Sequence, residues 1–163
     1  MGWSGTPPLT GTTPGLAACK VMVCSDLAWA TTFGAGCVGT NARTPTLGYT
    51  NPPKLGAINF SIDVGQALPS APVFLVYGTT NAAPTYPVDL SPINMVGCRL
   101  YVDAAVSFGS ATNNAGAYSQ LAIIPMVPSL AGVRIFNQAF VLDSGAPGLG
   151  IAATNAGWFL IGT

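Results

Sequence analysis

Residues 57–64 read AINFSIDV, and this stretch decides the fold class. Its large apolar side chains occupy every second position, so that Ile58, Phe60, Ile62 and Val64 alternate with Asn59, Ser61 and Asp63. A period of two is that of a β-strand with one face on a core and the other in water. The stretch therefore predicts a half-buried strand. Residues 98–103, CRLYVD, repeat the pattern and predict Cys98, Leu100 and Val102 inward, with Arg99, Tyr101 and Asp103 on the wet face.

Three longer runs are apolar without strict alternation. Residues 72–77 (PVFLVY) and 121–127 (LAIIPMV) predict central strands covered on both faces, although Pro125 favours an edge or a bulge in the second. Residues 133–143 (VRIFNQAFVLD) are apolar on both alternating sets. This run predicts either a strand covered on both sides or an exposed strand that awaits a partner.

Turn residues separate these runs at intervals of about ten residues, the spacing typical of sandwiches and barrels. The chain has 14 prolines and 20 glycines, which leave only residues 25–32 and 129–132 able to hold a helical turn. We predict one all-β domain over residues 19–163, an antiparallel, jelly-roll-like β-sandwich. A chain of this length buries enough surface to fold without a metal or cofactor.

Residues 1–18, MGWSGTPPLTGTTPGLAA, are rich in Pro, Gly and Thr and lack alternation. They predict an extended N-terminal arm, which either lies disordered or draped on its own domain or packs on a neighbouring subunit. The arm has no basic region followed by an apolar one, so we expect that any signal peptide has been removed or was never part of this chain. The side chains that we nominate for assembly contacts are Trp3, Leu9 and Leu16 in the arm and Phe136 and Phe140 in the two-faced run.

Charge is scarce in this chain. Five Lys and Arg residues balance five Asp residues, Glu and His are absent, and the net charge is zero. Only 6% of residues are charged, against about a quarter in an ordinary globular domain. Five scattered cations form no basic stripe, which argues against nucleic acid as a partner. The apolar runs are also shorter than the ~18 residues of a membrane helix.

The residues of common catalytic sites are missing. Without His or Glu, only Asp or Lys can activate a serine, and no Gly-x-Ser-x-Gly elbow occurs. Asp63 and Asp103 stand at ordinary outward strand positions rather than as a glycosidase pair. Asp143 and the Asn113-Asn114 pair lack the ladder of an EF-hand and are better turn formers than calcium ligands. We predict a protein that is not an enzyme, with no cofactor and no metal.

Four cysteines, Cys19, Cys24, Cys37 and Cys98, are an even number in a Thr/Asn/Gly-rich chain. This composition favours disulfides and an oxidising compartment, and four cysteines allow three pairings. A zinc site and free buried thiols are the alternatives. The chain has no His and no second close pair of cysteines, which argues against a zinc site.

A resemblance to a known family covers residues 33–163. The chain resembles an uncharacterised Gly/Pro-rich β domain found as the C-terminal module of many large secreted bacterial proteins. The matching features, in order, are FGAGCVGT from Phe33, Leu55-Gly56, Ala71-Pro72 before Tyr77-Gly78, Pro87-x-Asp89-Leu90 before Gly97-Cys98, FVLDSG from Phe140, and the closing Ile161-Gly162.

The resemblance implies a β-sandwich in an extracellular setting, and it implies no activity or ligand. The recurrent cysteines of the family fall on Cys37 and Cys98, which implies that these two pair and leaves Cys19 with Cys24. This chain differs from the family by its arm, its second cysteine pair and its standing nearly alone. A free-standing module favours a subunit over an appendage.

Two functions of different kinds fit these observations. The first is a structural subunit of an extracellular or cell-surface filament, sheath or layer, a homo-oligomer or polymer built through β contacts. The alternative is a secreted polysaccharide-binding module, for which Tyr86 and Tyr101 are the candidate stacking residues. A viral shell or tail protein is a third reading, which the cysteines fit poorly.

Overall fold

The computed structural model describes residues 27–82 and 84–163. These residues contain no α-helix, and they fold into ten antiparallel strands with three short 3-10 turns, at Thr40–Ala42, Ser91–Ile93 and Pro128–Leu130. The strands are β1 (Trp29–Phe33), β2 (Thr46–Thr50), β3 (Phe60–Gly65), β4 (Pro72–Gly78), β5 (Val88–Asp89), β6 (Arg99–Leu100), β7 (Val106–Ala111), β8 (Tyr118–Ala122), β9 (Arg134–Leu142) and β10 (Ile151–Leu160).

Two sheets pack face to face. The larger has the strand order β1-β10-β9-β4-β7, and the smaller has the order β2-β3-β8. The strand pairs are nested along the chain. The pair β1–β10 encloses the pair β3–β8 in sequence, and β3–β8 encloses β4–β7. Such wrapping is the jelly-roll pattern. The predicted antiparallel sandwich is confirmed.

The main core lies between the two sheets. Phe60, Ile62 and Val64 of β3 are fully buried, as the alternation in residues 57–64 predicted, and they face Leu75 of β4 and Phe159 of β10. The rings of Phe60 and Phe159 lie 4.8 Å apart in an edge-to-face arrangement. Burial of each such side chain contributes about 1.5–3 kcal/mol to stability.

A second core covers the outer face of the larger sheet. The connection from β4 to β7 crosses this face, and Gln138 of β9 holds it there. The Gln138 side chain is fully buried, accepts the Tyr101 N–H at 3.0 Å and donates to the carbonyls of Arg99 (2.8 Å) and Thr154 (3.0 Å). The Cys37–Cys98 disulfide closes this layer and confirms the pairing that the family resemblance implied.

The run 133–143 is covered on both sides. Of its two predicted states, a covered strand or an exposed strand that awaits a partner, the first is the one observed. β9 is the middle strand of the larger sheet, with Val141 facing the main core and Phe136 packed under the crossing connection. Phe136 is 7% exposed and Phe140 is half-buried. Both nominated side chains therefore serve the fold of their own domain and offer little surface to another subunit.

The run 72–77 forms β4, which lies between β9 and β7 and is therefore interior in the strand order. The prediction of cover on both faces holds for Val73, Leu75 and Val76, which are buried. Phe74 instead remains exposed on the outer face, beyond the reach of the crossing connection.

The prediction of a covered central strand over residues 121–127 is wrong. β8 ends at Ala122 and forms an edge of the smaller sheet, and only Ile124 of the later residues is buried. Pro125 has no N–H to donate to a ladder, which agrees with the edge position that it favoured. The side chains left exposed are Leu121, Ile123, Met126 and Val127.

Two smaller predictions also need correction. Ile58 is 73% exposed because β3 begins only at Phe60, after a turn. In residues 98–103, Cys98 and Val102 are buried as predicted, but the segment pairs as a strand only at Arg99–Leu100. Its other face is not simply wet, since Tyr101 is half-buried against the larger sheet.

Of the two runs able to hold a helical turn, residues 129–132 overlap a 3-10 turn at Pro128–Leu130, whereas the other run enters strand β1 at Trp29. Several predictions lie outside the described residues. These are the arm over residues 1–18 with Trp3, Leu9 and Leu16, and the pairing of Cys19 with Cys24.

Candidate functional site

The edge strand β7 extends beyond the smaller sheet. Val106 is paired with Tyr77 and Phe108 with Leu75, and cross-strand partners point to the same face of a sheet. Leu75 faces the core and is fully buried, so Val106 and Phe108 face the same way. They are nevertheless 49% and 53% exposed. The inner face of β7 is therefore uncovered.

The smaller sheet is too narrow to reach β7. Its strand β2 lies against β10 and β1, and β3 and β8 follow in the direction of β7. Three strands thus face five, and β8 ends the smaller sheet before β7 is covered. Because packed sheets lie about 10 Å apart, one more strand beside β8 would lie over Val106 and Phe108.

The uncovered face forms an apolar cleft of about 310 Å³. Its side-chain walls are Tyr77, Val106, Phe108 and Ile135. The rings of Tyr77 and Phe108 meet edge to face at 5.6 Å between centroids. Burial, together with a smaller effect of Tyr118 from the opposite sheet, raises the pKa of the Tyr77 hydroxyl to about 12. The cleft therefore carries no charge at neutral pH.

The backbone of β7 also has free hydrogen-bonding groups. The Thr112 N–H donates to the Ala71 carbonyl, and alternation along an antiparallel ladder assigns the bonds to β4 to positions 106, 108 and 110. The N–H and C=O groups of Ser107, Gly109 and Ala111 then point away from the sheet. This row of unpaired groups is a template for a further strand.

The usual protection of edge strands is missing from both β7 and β8. Their sequences, VSFGSA and YSQLA, contain no charged residue and no proline. Natural proteins place such residues on edges to prevent pairing between molecules. Leu121 of β8 is paired with Ser61, so its exposed side chain lies on the outer face of the smaller sheet, and Ile123 and Met126 are exposed after the strand ends. The Ala57 carbonyl accepts the Ile124 N–H, which brings the exposed Ile58 close to this segment.

The two predicted stacking residues do not line this cleft. The Tyr101 hydroxyl accepts the Ala35 N–H at 3.0 Å, and its ring packs edge to face on Phe33 at 6.0 Å. Tyr86 is half-buried and precedes a cis bond to Pro87. Tyr101 thus connects the crossing connection to the end of β1, which gives it a structural contact on its own domain.

Each aspartate that was weighed for chemistry is engaged in local structure. Asp63 accepts hydroxyl hydrogen bonds from Thr50 (2.6 Å) and Ser119 (2.5 Å) on the two neighbouring strands. Asp103 accepts the N–H groups of Thr79 and Thr80, each at 2.7 Å, and so fixes the end of β4. These contacts are those of strand and turn stabilisers.

Asp143 has the same role in the turn before β10. Its carboxylate accepts the Thr40 N–H at 2.7 Å, the Thr40 hydroxyl and the Gly145 N–H at 3.2 Å. Burial alone would raise the pKa of Asp143, but these hydrogen bonds, with one from the Ala146 N–H, outweigh it and lower the pKa. Similarly, the Asn113 side-chain oxygen accepts the N–H groups of Ala115 and Ala117. Over residues 27–82 and 84–163 no group of three potential metal ligands comes together.

Sequence reasoning missed the residues that form the cleft. Residues 106–111 alternate apolar and small side chains, which is a strand signal, but their short length and their glycine make it weak. The absence of charge along VSFGSA and YSQLA is the signal that could have identified the two edges.

Comparison with known proteins identifies no relative, since no family model, no curated protein and no solved structure matches the chain. The family resemblance noted above remains a prediction. Among the described residues, none belongs to a helix with the length and apolar character needed to cross a membrane.

Proposed function

We propose that this protein is a non-enzymatic structural subunit of an extracellular or cell-surface assembly, built through β contacts between copies. The observation that carries the proposal is the pair of unprotected edge strands, β7 and β8, together with the uncovered apolar cleft on the inner face of β7. Open edges of this kind pair readily with other chains. Edge pairing of this kind causes aggregation in most proteins, but in a subunit of an assembly it would join one copy to the next.

The rest of the surface supports the same proposal. Large exposed apolar side chains occur on both sheets and on the loops, among them Trp29, Val96 and Leu149. With a net charge of zero, little long-range repulsion keeps two copies apart. An extensive apolar and uncharged surface is typical of interaction sites between proteins.

The disulfide supports the proposed location. Cys37 and Cys98 lie 61 residues apart and close the outer core. Such structural disulfides form and persist outside the reducing cytosol. The polysaccharide-binding alternative gains no comparable support, because Tyr101, its better candidate, is held by Phe33 and Ala35.

Negative-stain microscopy of the purified full chain, combined with sedimentation over a range of concentrations, tests the proposal. We expect filaments, sheets or oligomers that grow with concentration. A monodisperse monomer at high concentration would overturn the proposal and lead to a screen of glycans with Tyr86→Ala and Tyr101→Ala variants. Closed shells of one size would instead favour the hypothesis of a viral shell protein.

A further inference from the structure

We propose that the apolar cleft on the inner face of β7 is covered by the N-terminal arm, residues 1–18, of a second copy of this chain, which adds a fourth strand to the smaller sheet beside β8. The inference rests on the proposed function and deepens it, because it names the partner segment and the direction of assembly. Addition of a strand to an open sheet edge is a common mode of recognition between proteins.

The geometry of the cleft favours a strand beside β8 over direct pairing of two β7 edges. Two copies joined at β7 would form one continuous sheet, but the inner face with Val106 and Phe108 would stay uncovered. A strand next to β8 lies one sheet spacing above that face. It therefore satisfies the open edge and covers the apolar cleft at the same time.

The sequence of the arm suits this cleft. Between Pro8 and Pro14, residues 9–13 read LTGTT and contain no proline and no charge. This run has five residues, the same number as β8. Since prolines do not donate to a ladder, they limit the paired strand to this run. Leu9 supplies the large apolar side chain for the wall formed by Val106 and Phe108.

The place where the described chain begins allows a second copy to be the donor. The first described strand, β1, is the edge of the larger sheet opposite β7, about 19 Å away across four strand spacings. The preceding 26 residues can extend to roughly 85 Å, which is long enough to reach the β8 edge of a neighbouring copy. A donor at one edge and an acceptor at the other give a head-to-tail contact, which continues into an open polymer unless it closes into a ring.

The test uses two full-length variants, each blocked on one side of the contact. Leu9→Asp places a charge in the donor run, and Phe108→Asp places one in the acceptor cleft. Thr10→Asp and Ser107→Asp are the matched controls, because neighbouring positions on a strand face opposite ways. Sedimentation velocity gives the masses, and circular dichroism confirms that each variant is folded. Val106→Asp replaces Phe108→Asp if the latter does not fold.

We expect that each blocked variant alone stays monomeric and that an equimolar mixture forms a dimer, because one intact arm meets one intact cleft. The two control variants should assemble like the wild type. If the wild type assembles but the mixture stays monomeric, or if Leu9→Asp polymerises, the arm is not the donor, while the proposed structural function stands. If the wild type itself is monomeric at all concentrations, both proposals fail, and an arm bound to its own cleft becomes the explanation.

Discussion

The ring of Phe108, on the open edge strand β7, packs edge to face on the ring of Tyr77 while more than half of its own surface remains exposed. A large aromatic side chain in this position contributes little to the stability of one isolated domain. Its exposed area becomes useful when another chain covers it. A change at Phe108 should therefore weaken assembly more than it lowers the stability of the single domain.

The first prediction concerns that difference. We expect Phe108→Ser to raise the concentration needed for assembly at least tenfold while lowering the free energy of unfolding by no more than about 1 kcal/mol, because the side chain is half exposed. Leu75→Ala, at the paired and fully buried position on β4, should cost about 2–5 kcal/mol. Urea denaturation and light scattering of both variants measure the two effects. Equal loss of stability at the two positions would show that the cleft is covered within the monomer.

Gln138 should be a principal support of the crossing connection. The Gln138→Ala change leaves the Tyr101 N–H and the carbonyls of Arg99 and Thr154 without their partner in a buried layer. We expect a loss of about 2–4 kcal/mol, since each unsatisfied buried group costs about 1–3 kcal/mol and some regain water. The accompanying measurement is hydrogen exchange, which should accelerate at the Tyr101 amide. Unchanged exchange there would contradict this role.

The Cys37–Cys98 disulfide should contribute strongly to stability. Its separation of 61 residues corresponds to about 4 kcal/mol in the chain-entropy description. We expect the free energy of unfolding of the double variant Cys37→Ser, Cys98→Ser, measured by urea denaturation, to be lower by that amount. A change below about 1 kcal/mol would mean that Gln138 and its contacts hold the layer alone.

Asp143 should make the protein sensitive to acid. Its pKa is lowered in the folded state, so its stabilising effect is present above about pH 4, the range of an unfolded Asp, and is lost as the pH falls through the lowered value. We expect the free energy of unfolding to decline below about pH 4 in the wild type. Asp143→Asn should be less stable at pH 7 and should show a flatter decline. An unchanged slope would assign the acid sensitivity to the other carboxylates.

The sequence predicts part of this fold because local alternation reports which side chains leave water. The period of two placed Phe60, Ile62 and Val64 in the core, and the double apolar set of residues 133–143 belongs to the middle strand. The same information does not reveal what covers a side chain. The run 121–127 is as apolar as a central strand, yet its strand lies at an edge, because edge and centre differ only in long-range pairing. The cleft depends on that pairing and on the unequal widths of the two sheets, neither of which appears in a local pattern.

Hydrogen exchange at the two edges, measured at low and at high protein concentration, tests the central claim most directly. The amides that point away from the sheets in segments 106–111 and 118–122 should exchange fast in dilute solution, and those of 118–122 should become protected as assembly proceeds. β10, which is paired on both sides, serves as the internal control and should exchange slowly at both concentrations. Protection at β8 that rises with concentration is the result that this account predicts. Exchange at both edges that is independent of concentration, in a sample that does assemble, would contradict it.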